Sequence, residues 1–275
     1  MVALQRRGDT VALVELPVPH PAPDEVVVRV RAAGICRTDV AVARGELPSA
    51  DPVVLGHELA GEVVAAGDGH GLGQRVSADP WRLGAQLGVH ADGAFAPYLR
   101  LHRSQLVPLD DHVDWTVGAY VEPVAAALGV LDASPRGEVL VLGSGRIAEL
   151  TARVLRAATD CTVRVATAAP TDSADVVIEA RPAPGVLARA LDIVRPRGTV
   201  VLKSRADVSL SLPLALAVRK RASLVAVGHG DFARAAALLA SGELPLEGLL
   251  GDSHPLAAWR EAFARGESRK TFLLP

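Results

Sequence analysis

Residues 138–158 read EVLVLGSGRIAELTARVLRAA. An apolar run, a turn with two glycines and then apolar positions at helical spacing give the order strand, tight turn, amphipathic helix. The alternation continues in TVRVAT (162–167), ADVVIEA (174–180), the helix-like APGVLARALDIVR (183–195), GTVVLKS (198–204) and ASLVAVG (222–228). Strands alternating with helices in this way build a parallel sheet.

Upstream the pattern is different. EVVVRVRAAG (25–34), GHELAGEVVAAG (56–67), QRVSADP (74–80), FAPYLRLH (95–102) and QLVPL (105–109) are short Val-rich runs closed by Gly or Pro, as in a compact β-barrel or sandwich. AYVEPVAAALGVLDASP (119–135) has helical character, and DFARAAALLASG (231–242) and LAAWREAFARG (256–266) return to it before a last strand-like KTFLLP (270–275). The expected class is α/β in two domains: a β-rich one from 1–122 and 231–275, and a parallel-sheet one from 123–230.

Lys and Arg number 29 and Asp and Glu 31 in 275 residues, a net charge of −2 with no long block of one sign. That excludes a nucleic-acid or acidic-membrane footprint and leaves small molecules or other subunits as partners. The start, MVALQRRGDT, lacks the apolar stretch of a signal peptide, and no uninterrupted apolar run reaches the roughly 18 residues of a membrane span. The expectation is a soluble, cytoplasmic protein.

The chain has two cysteines, Cys36 and Cys161, too few for a disulfide framework. Cys36 lies in GICRTD (34–39); 21 residues on, GHE places His57 beside Glu58, and Glu122 follows at the domain boundary. Singly, Cys36 reads as a small buried hydrophobe and His57–Glu58 as a hydrogen-bonded detail. Together they are the sulfur, imidazole and carboxylate donors that a catalytic zinc accepts. Cys161 reads as buried filler. His90 and Asp92 in GVHADG read either as cleft residues or as a plain turn built on Asp and Gly.

GICRTD, GHELAGEVVAAG, LGVHADGAFAPY, YVEPVAAAL, VLVLGSGRIA, ADVVIEA and HPLAAWREAFARGESRKTFLLP run in the order found in the zinc-dependent medium-chain alcohol and polyol dehydrogenases, which this sequence resembles from about residue 25 to its end. The resemblance implies a GroES-like β-barrel catalytic domain and a Rossmann-like parallel-sheet domain. It implies that Cys36, His57 and Glu58 bind a catalytic zinc, with Glu122 as a further ligand or a carboxylate beside it, as in the polyol branch. Thr38 matches the hydroxyl that relays the alcohol proton, and Asp39 the carboxylate that orients His57. Gly143, Ser144, Gly145, Arg146 and Ile147 match the turn over which NAD(H) or NADP(H) lies, and Arg37 and Lys270 match places that pair with pyrophosphate. A homodimer or homotetramer is implied as well, with the edge strand ASLVAVG as a pairing surface.

Four departures stand out. No cysteine lies between residues 37 and 160, so the lobe that carries a structural zinc in many relatives is absent, and Trp81 is placed to cover the gap. Ala148 fills the third place of the glycine fingerprint, which the G-x-G-x-x-G/A form tolerates. The acidic residue that should close the second strand on the adenine ribose is replaced by Ala166 and Thr167, and residues 168–174 span only roughly 23–25 Å when extended, so a helix–strand–helix portion is missing and the sheet is either smaller or unusually paired. Arg181, Pro182 and Lys203 put bulk and charge where relatives have small residues, and Arg219, Lys220 and Arg221 form a basic helix end that could meet a 2′-phosphate. Three functions follow: a zinc-dependent NAD(P) oxidoreductase acting on a secondary alcohol, polyol or ketone; a zinc enzyme of the same fold doing elimination, hydration, isomerisation or cyclisation without a nicotinamide cofactor; or a non-catalytic binding protein.

Overall fold

The computed structural model describes residues 1–81, 84–204, 209–265 and 268–275. Arg82 and Leu83, in the stretch that replaces the cysteine lobe, and Gly266 and Glu267 of the C-terminal motif lie outside the described residues.

The chain opens with β1 (Val2–Arg7) and β2 (Thr10–Glu15), followed by β3 (Glu25–Gly34), α1 (Arg37–Ala43), β4 (Val53–Val54), β5 (Glu58–Ala66), β6 (Arg75–Ala78), β7 (Tyr98–His102) and β8 (Leu106–Pro108). Helices α2 (Trp115–Gly118) and α3 (Val121–Leu128) come next, then β9 (Glu138–Leu142), α4 (Arg146–Ala158), β10 (Thr162–Ala166), β11 (Ala174–Glu179), α5 (Val186–Ile193), β12 (Val194–Leu202), α6 (Leu214–Lys220) and β13 (Ser223–Ala226). The last elements are α7 (Phe232–Ala240), β14 (Leu250–Pro255), α8 (Trp259–Ala264) and β15 (Lys270–Leu274). Two compact units result: residues 1–123, 232–242 and 246–275, and residues 124–231 with 243–245.

In the first unit β2-β1-β4 form a small sheet, and β14-β15-β3-β5-β6-β8 form a larger one with β7 paired on β3. Strand β3 alternates Val26, Val28 and Val30 inward against Arg29 and Arg31 outward, the period-2 pattern of a sheet with one wet face. Its valines join Leu4, Val42, Leu55, Leu59, Val76, Phe95, Leu101 and Trp259 in one core. The β1–β2 hairpin, turned at Gly8 with φ +55°, and strand β14 are elements that sequence patterning did not mark out. The run Trp115–Ala133 matches a membrane span in length and in mean hydropathy of 1.2, but two thirds of it is buried in the protein and Glu122 and Asp132 interrupt it.

The second unit is a five-stranded, fully parallel sheet in the order β10-β9-β11-β12-β13. In β9 the side chains of Val139 and Val141 face α4, through Ala148, Ala152 and Leu155, while Leu140 and Leu142 face α5, through Leu187, Ala190 and Leu191. Strand β10 pairs β9 in unbroken register, so the sheet is small rather than oddly paired. Residues 167–173 carry the chain from β10 across β9 to β11 without a helix, and Ala169 packs into the core on the α5 side. The return is about 16 Å along the strands and about 10 Å across them, a diagonal of about 19 Å that seven extended residues can span. Since α4 makes the outward move on one face and this segment makes the return on the other, both crossovers share a hand.

Lys220 anchors the end of that return. Its buried ammonium lies 2.8 Å from Asp172 Oδ1 and donates to the carbonyls of Asp192 (2.5 Å) and Val194 (2.7 Å). Those groups sit at the starts of β11 and β12, the end of the sheet away from the glycine turn. The basic run 219–221 therefore does not meet a 2′-phosphate: α6 runs antiparallel to the strands and delivers Lys220 to the opposite end. Replacing Lys220→Met should take a donor from the Asp192 and Val194 carbonyls, of which Asp192 keeps the Asp172 N–H, and cost about 1–3 kcal/mol of stability. Urea unfolding should show that loss while nucleotide affinity stays within about twofold, a difference of about 0.4 kcal/mol.

Candidate metal centre

Cys36 precedes α1 and His57 precedes β5, so the two sit on segments 21 residues apart that only tertiary structure can join. The joint is one carboxylate. Asp39, 1% exposed, accepts the Cys36 backbone N–H on Oδ2 at 2.7 Å, and on Oδ1 accepts the Gly56 N–H at 3.2 Å and the His57 Nδ1–H at 3.0 Å. With Nδ1 committed to Asp39, the lone pair of His57 is on Nε2, the arrangement of a metal-ligating imidazole.

One donor atom from each of Cys36, His57 and Glu58 lies within 4.8 Å of the others. Ligand atoms at the tetrahedral angle on one zinc lie about 3.3–3.8 Å apart, so side-chain adjustments of up to about 1 Å would let this cluster hold the ion. The donor set, thiol with imidazole and carboxylate, fits that metal. The hydroxyl of Thr38 stands 3.8 Å from the Cys36 sulfur.

Glu58 is held from behind. Lys270, 1% exposed, places Nζ 2.6 Å from Oε1 and 2.5 Å from Oε2 and donates to the Ile35 carbonyl at 2.9 Å. Gly34 makes room: a β-carbon there would lie 2.3 Å from Glu58 Oε2 and 3.2 Å from Lys270 Cδ. Lys270 is thus corrected from a pyrophosphate contact to the partner of Glu58, because burial and three oxygen neighbours leave its ammonium nothing to offer a nucleotide. Sequence spacing gave no warning, since Lys270 is 212 residues from the carboxylate it holds.

Glu122, the second residue of α3, is 8% exposed and is not among the three clustered donors. Its carboxylate sits in the first helical turn, where the helix dipole favours negative charge. Arg37 is exposed at the first position of α1. His90 accepts the Gln86 N–H within its own turn, and Asp92 accepts the Val54 N–H at 2.8 Å, so both serve the local backbone. Asp92 also borders a cavity of about 530 Å³ that includes Gln5, Leu16, Val54 and Leu87, and none of Cys36, His57 and Glu58 lines it. Trp81 is 39% exposed, and Cys161 packs in the second unit's core with its thiol directed to the Pro135 carbonyl.

In the second unit Gly143, Ser144 and Gly145 form the turn between β9 and α4. Gly145 has φ +87° and ψ −176°, a conformation open to glycine alone, and it lets Arg146 and Ile147 start a 13-residue helix whose first N–H groups point out of the turn. Ala166 ends β10, and Thr167 follows it, exposed.

A β-rich unit with a thiol–imidazole–carboxylate cluster and a parallel sheet with a glycine turn define a two-part, metal-site and nucleotide-fold protein. Residues 22–111 match the alcohol dehydrogenase GroES-like domain. An L-threonine 3-dehydrogenase of Ruegeria pomeroyi is 33% identical over 170 residues, covering 52% of this chain and 50% of that protein, and L-galactonate-5-dehydrogenase of Escherichia coli is 26% identical over 306 residues, covering 90% and 89%. The match thus spans about half the length of the threonine dehydrogenases. An Escherichia coli CFT073 short chain alcohol dehydrogenase (rspB), solved with NADH, superposes with a TM-score of 0.90 at 22% identity over 100% of this chain and 99% of its own. The chain as a whole thus shares the fold of solved dehydrogenases, with the alcohol dehydrogenase GroES-like domain over residues 22–111.

Two outcomes are expected at this centre. Asp39→Asn should lower zinc affinity about 10–100-fold by freeing the His57 ring, as competition with a chromophoric chelator will read. Burial works to lower the His57 pKa, but the charge and hydrogen bond of Asp39, aided by Cys36, outweigh it and hold the imidazole well above its ordinary 6.5. The metal-free chain therefore draws stability from His57 that is fully present below about 6.5 and is lost as pH rises through the raised folded value. Unfolding the metal-free chain across that range should show the decline, and Asp39→Asn should flatten it.

Proposed function

We propose that the chain is a zinc-dependent oxidoreductase that moves a hydride between NAD(P) and a secondary alcohol, a polyol or the matching ketone. The observation that carries this reading is the cluster of Cys36, His57 and Glu58 tied by Asp39. A zinc ion held there supplies Lewis-acid polarisation of the substrate oxygen, and the nicotinamide supplies or accepts the hydride. Thr38, beside the cluster, is the hydroxyl that takes the substrate proton toward water. Asp39 keeps the His57 ring in one tautomer while charge at the centre changes, and Lys270 balances Glu58. In the second unit the Gly143–Gly145 turn brings backbone N–H groups and the α4 N-terminus to a dinucleotide phosphate.

The partner is a small molecule; neither a nucleic acid nor a membrane is part of this reading, and the enzyme works in the cytoplasm. A homodimer or homotetramer fits β13, which pairs only β12 among the described residues and leaves its other edge for a second copy. A non-redox zinc enzyme is the second reading, favoured by the missing carboxylate at the end of β10.

The purified chain should hold about one zinc, as a single catalytic site requires. It should lose that zinc in Cys36→Ser, and it should oxidise secondary alcohols or diols with NAD(P) reduction followed at the nicotinamide absorbance band. Zinc without saturable binding of either dinucleotide would transfer the assignment to non-redox chemistry. A chain that takes up no zinc would remove the enzymatic reading.

A further inference from the structure

In an open parallel sheet, nucleotides bind at the carboxyl ends of the strands where successive helices leave onto opposite faces. Here that point lies between β9 and β11, since α4 packs on one face and α5 on the other. The charges around it are unevenly distributed. Strand β10 ends in Ala166, and exposed Thr167 and Ala168 follow. Glu179, which ends β11, is 2% exposed and accepts the Ser204 N–H at 3.1 Å and its hydroxyl at 2.5 Å, so its carboxylate is engaged inside the protein. Arg181 follows β11 and is exposed; among the described residues it has no ion-pair partner. It lies against the glycine turn: a β-carbon on Gly143 would be 3.7 Å from that of Arg181.

A site that selects NAD(H) carries a carboxylate on the ribose 2′-hydroxyl, which both binds that hydroxyl and repels a phosphate in its place. This site has neither effect. It has instead a permanently charged guanidinium beside the turn and a hydroxyl at the end of β10. Space is also available, because among the described residues no strand pairs the outer edge of β10. We propose that the chain selects NADP(H) over NAD(H), with Arg181 as the cation for the 2′-phosphate and Thr167 as a hydrogen-bond donor to it. This rests on the oxidoreductase reading and narrows its cofactor.

Fluorescence titration of the full chain with NADPH and NADH tests the proposal. NADPH should bind about 10–100-fold more tightly, the worth of a charge-assisted contact. Arg181→Ala should remove most of that margin by weakening NADPH, and Ala166→Asp should invert the preference. Equal binding, or tighter NADH, would overturn this inference and leave the oxidoreductase reading standing. Loss of both affinities alike in Arg181→Ala would overturn the assignment of Arg181, because it would mark a pyrophosphate contact. Saturable binding of neither, with zinc present, would end both readings.

Discussion

The Asp39 carboxylate is the constraint on which the metal centre depends. With two oxygens it collects the N–H that opens α1, the N–H of Gly56 and the imidazole of His57. Buried carboxylates cost several kcal/mol of desolvation unless they are matched by donors, and three donors converge here. The same bonds that make its burial tolerable bring the Cys36 and His57 segments together and select the His57 tautomer. Folding and ligand geometry are therefore one problem at this position, and a change that harms the second must also disturb the first.

The second unit shows how a parallel sheet survives shortening. Its remaining strands keep register because each apolar face is still covered: α4 on one side, α5 and α6 on the other, with Ala169 standing where a helix would have packed. A return of seven residues works only because β10 is short and a single strand separates it from β11. Lys220 then secures the turn at the bottom by binding Asp172 together with the carbonyls that close α5. The upper end of the sheet, with its glycine turn, is left unaltered by these repairs.

Much of this was legible in the sequence, and the reasons differ by element. Periodicity marked β3, β5, β9–β13, α4 and α5 because each buries one face or both at a regular spacing. The β1–β2 hairpin was missed because β1 buries three consecutive residues and β2 is half-buried along its length, so neither shows a period of two, and β14 because LGDSHP has almost no apolar signal. At the site, Cys36, His57 and Glu58 were legible because zinc requires an unusual mixture of donors. Lys270 and Lys220 were misread for a common reason: a charged side chain looks the same in sequence whether it is solvated or buried, and only the fold shows which carboxylate or carbonyl it meets.

The Glu58–Lys270 pair bears on the order in which the donors bind. Both side chains are fully buried, and an ion pair in that setting is rarely a net gain over an apolar pair of similar size, while removing one partner alone is strongly destabilising. Its retention, in a space that only glycine at position 34 leaves open, is better explained by the site than by stability. An ammonium within 2.6 Å of both carboxylate oxygens withdraws charge from Glu58. Of the three donors it therefore has the weakest pull on a cation. A zinc ion held there would draw mainly on Cys36 and His57, while Glu58 would be the more weakly bound donor.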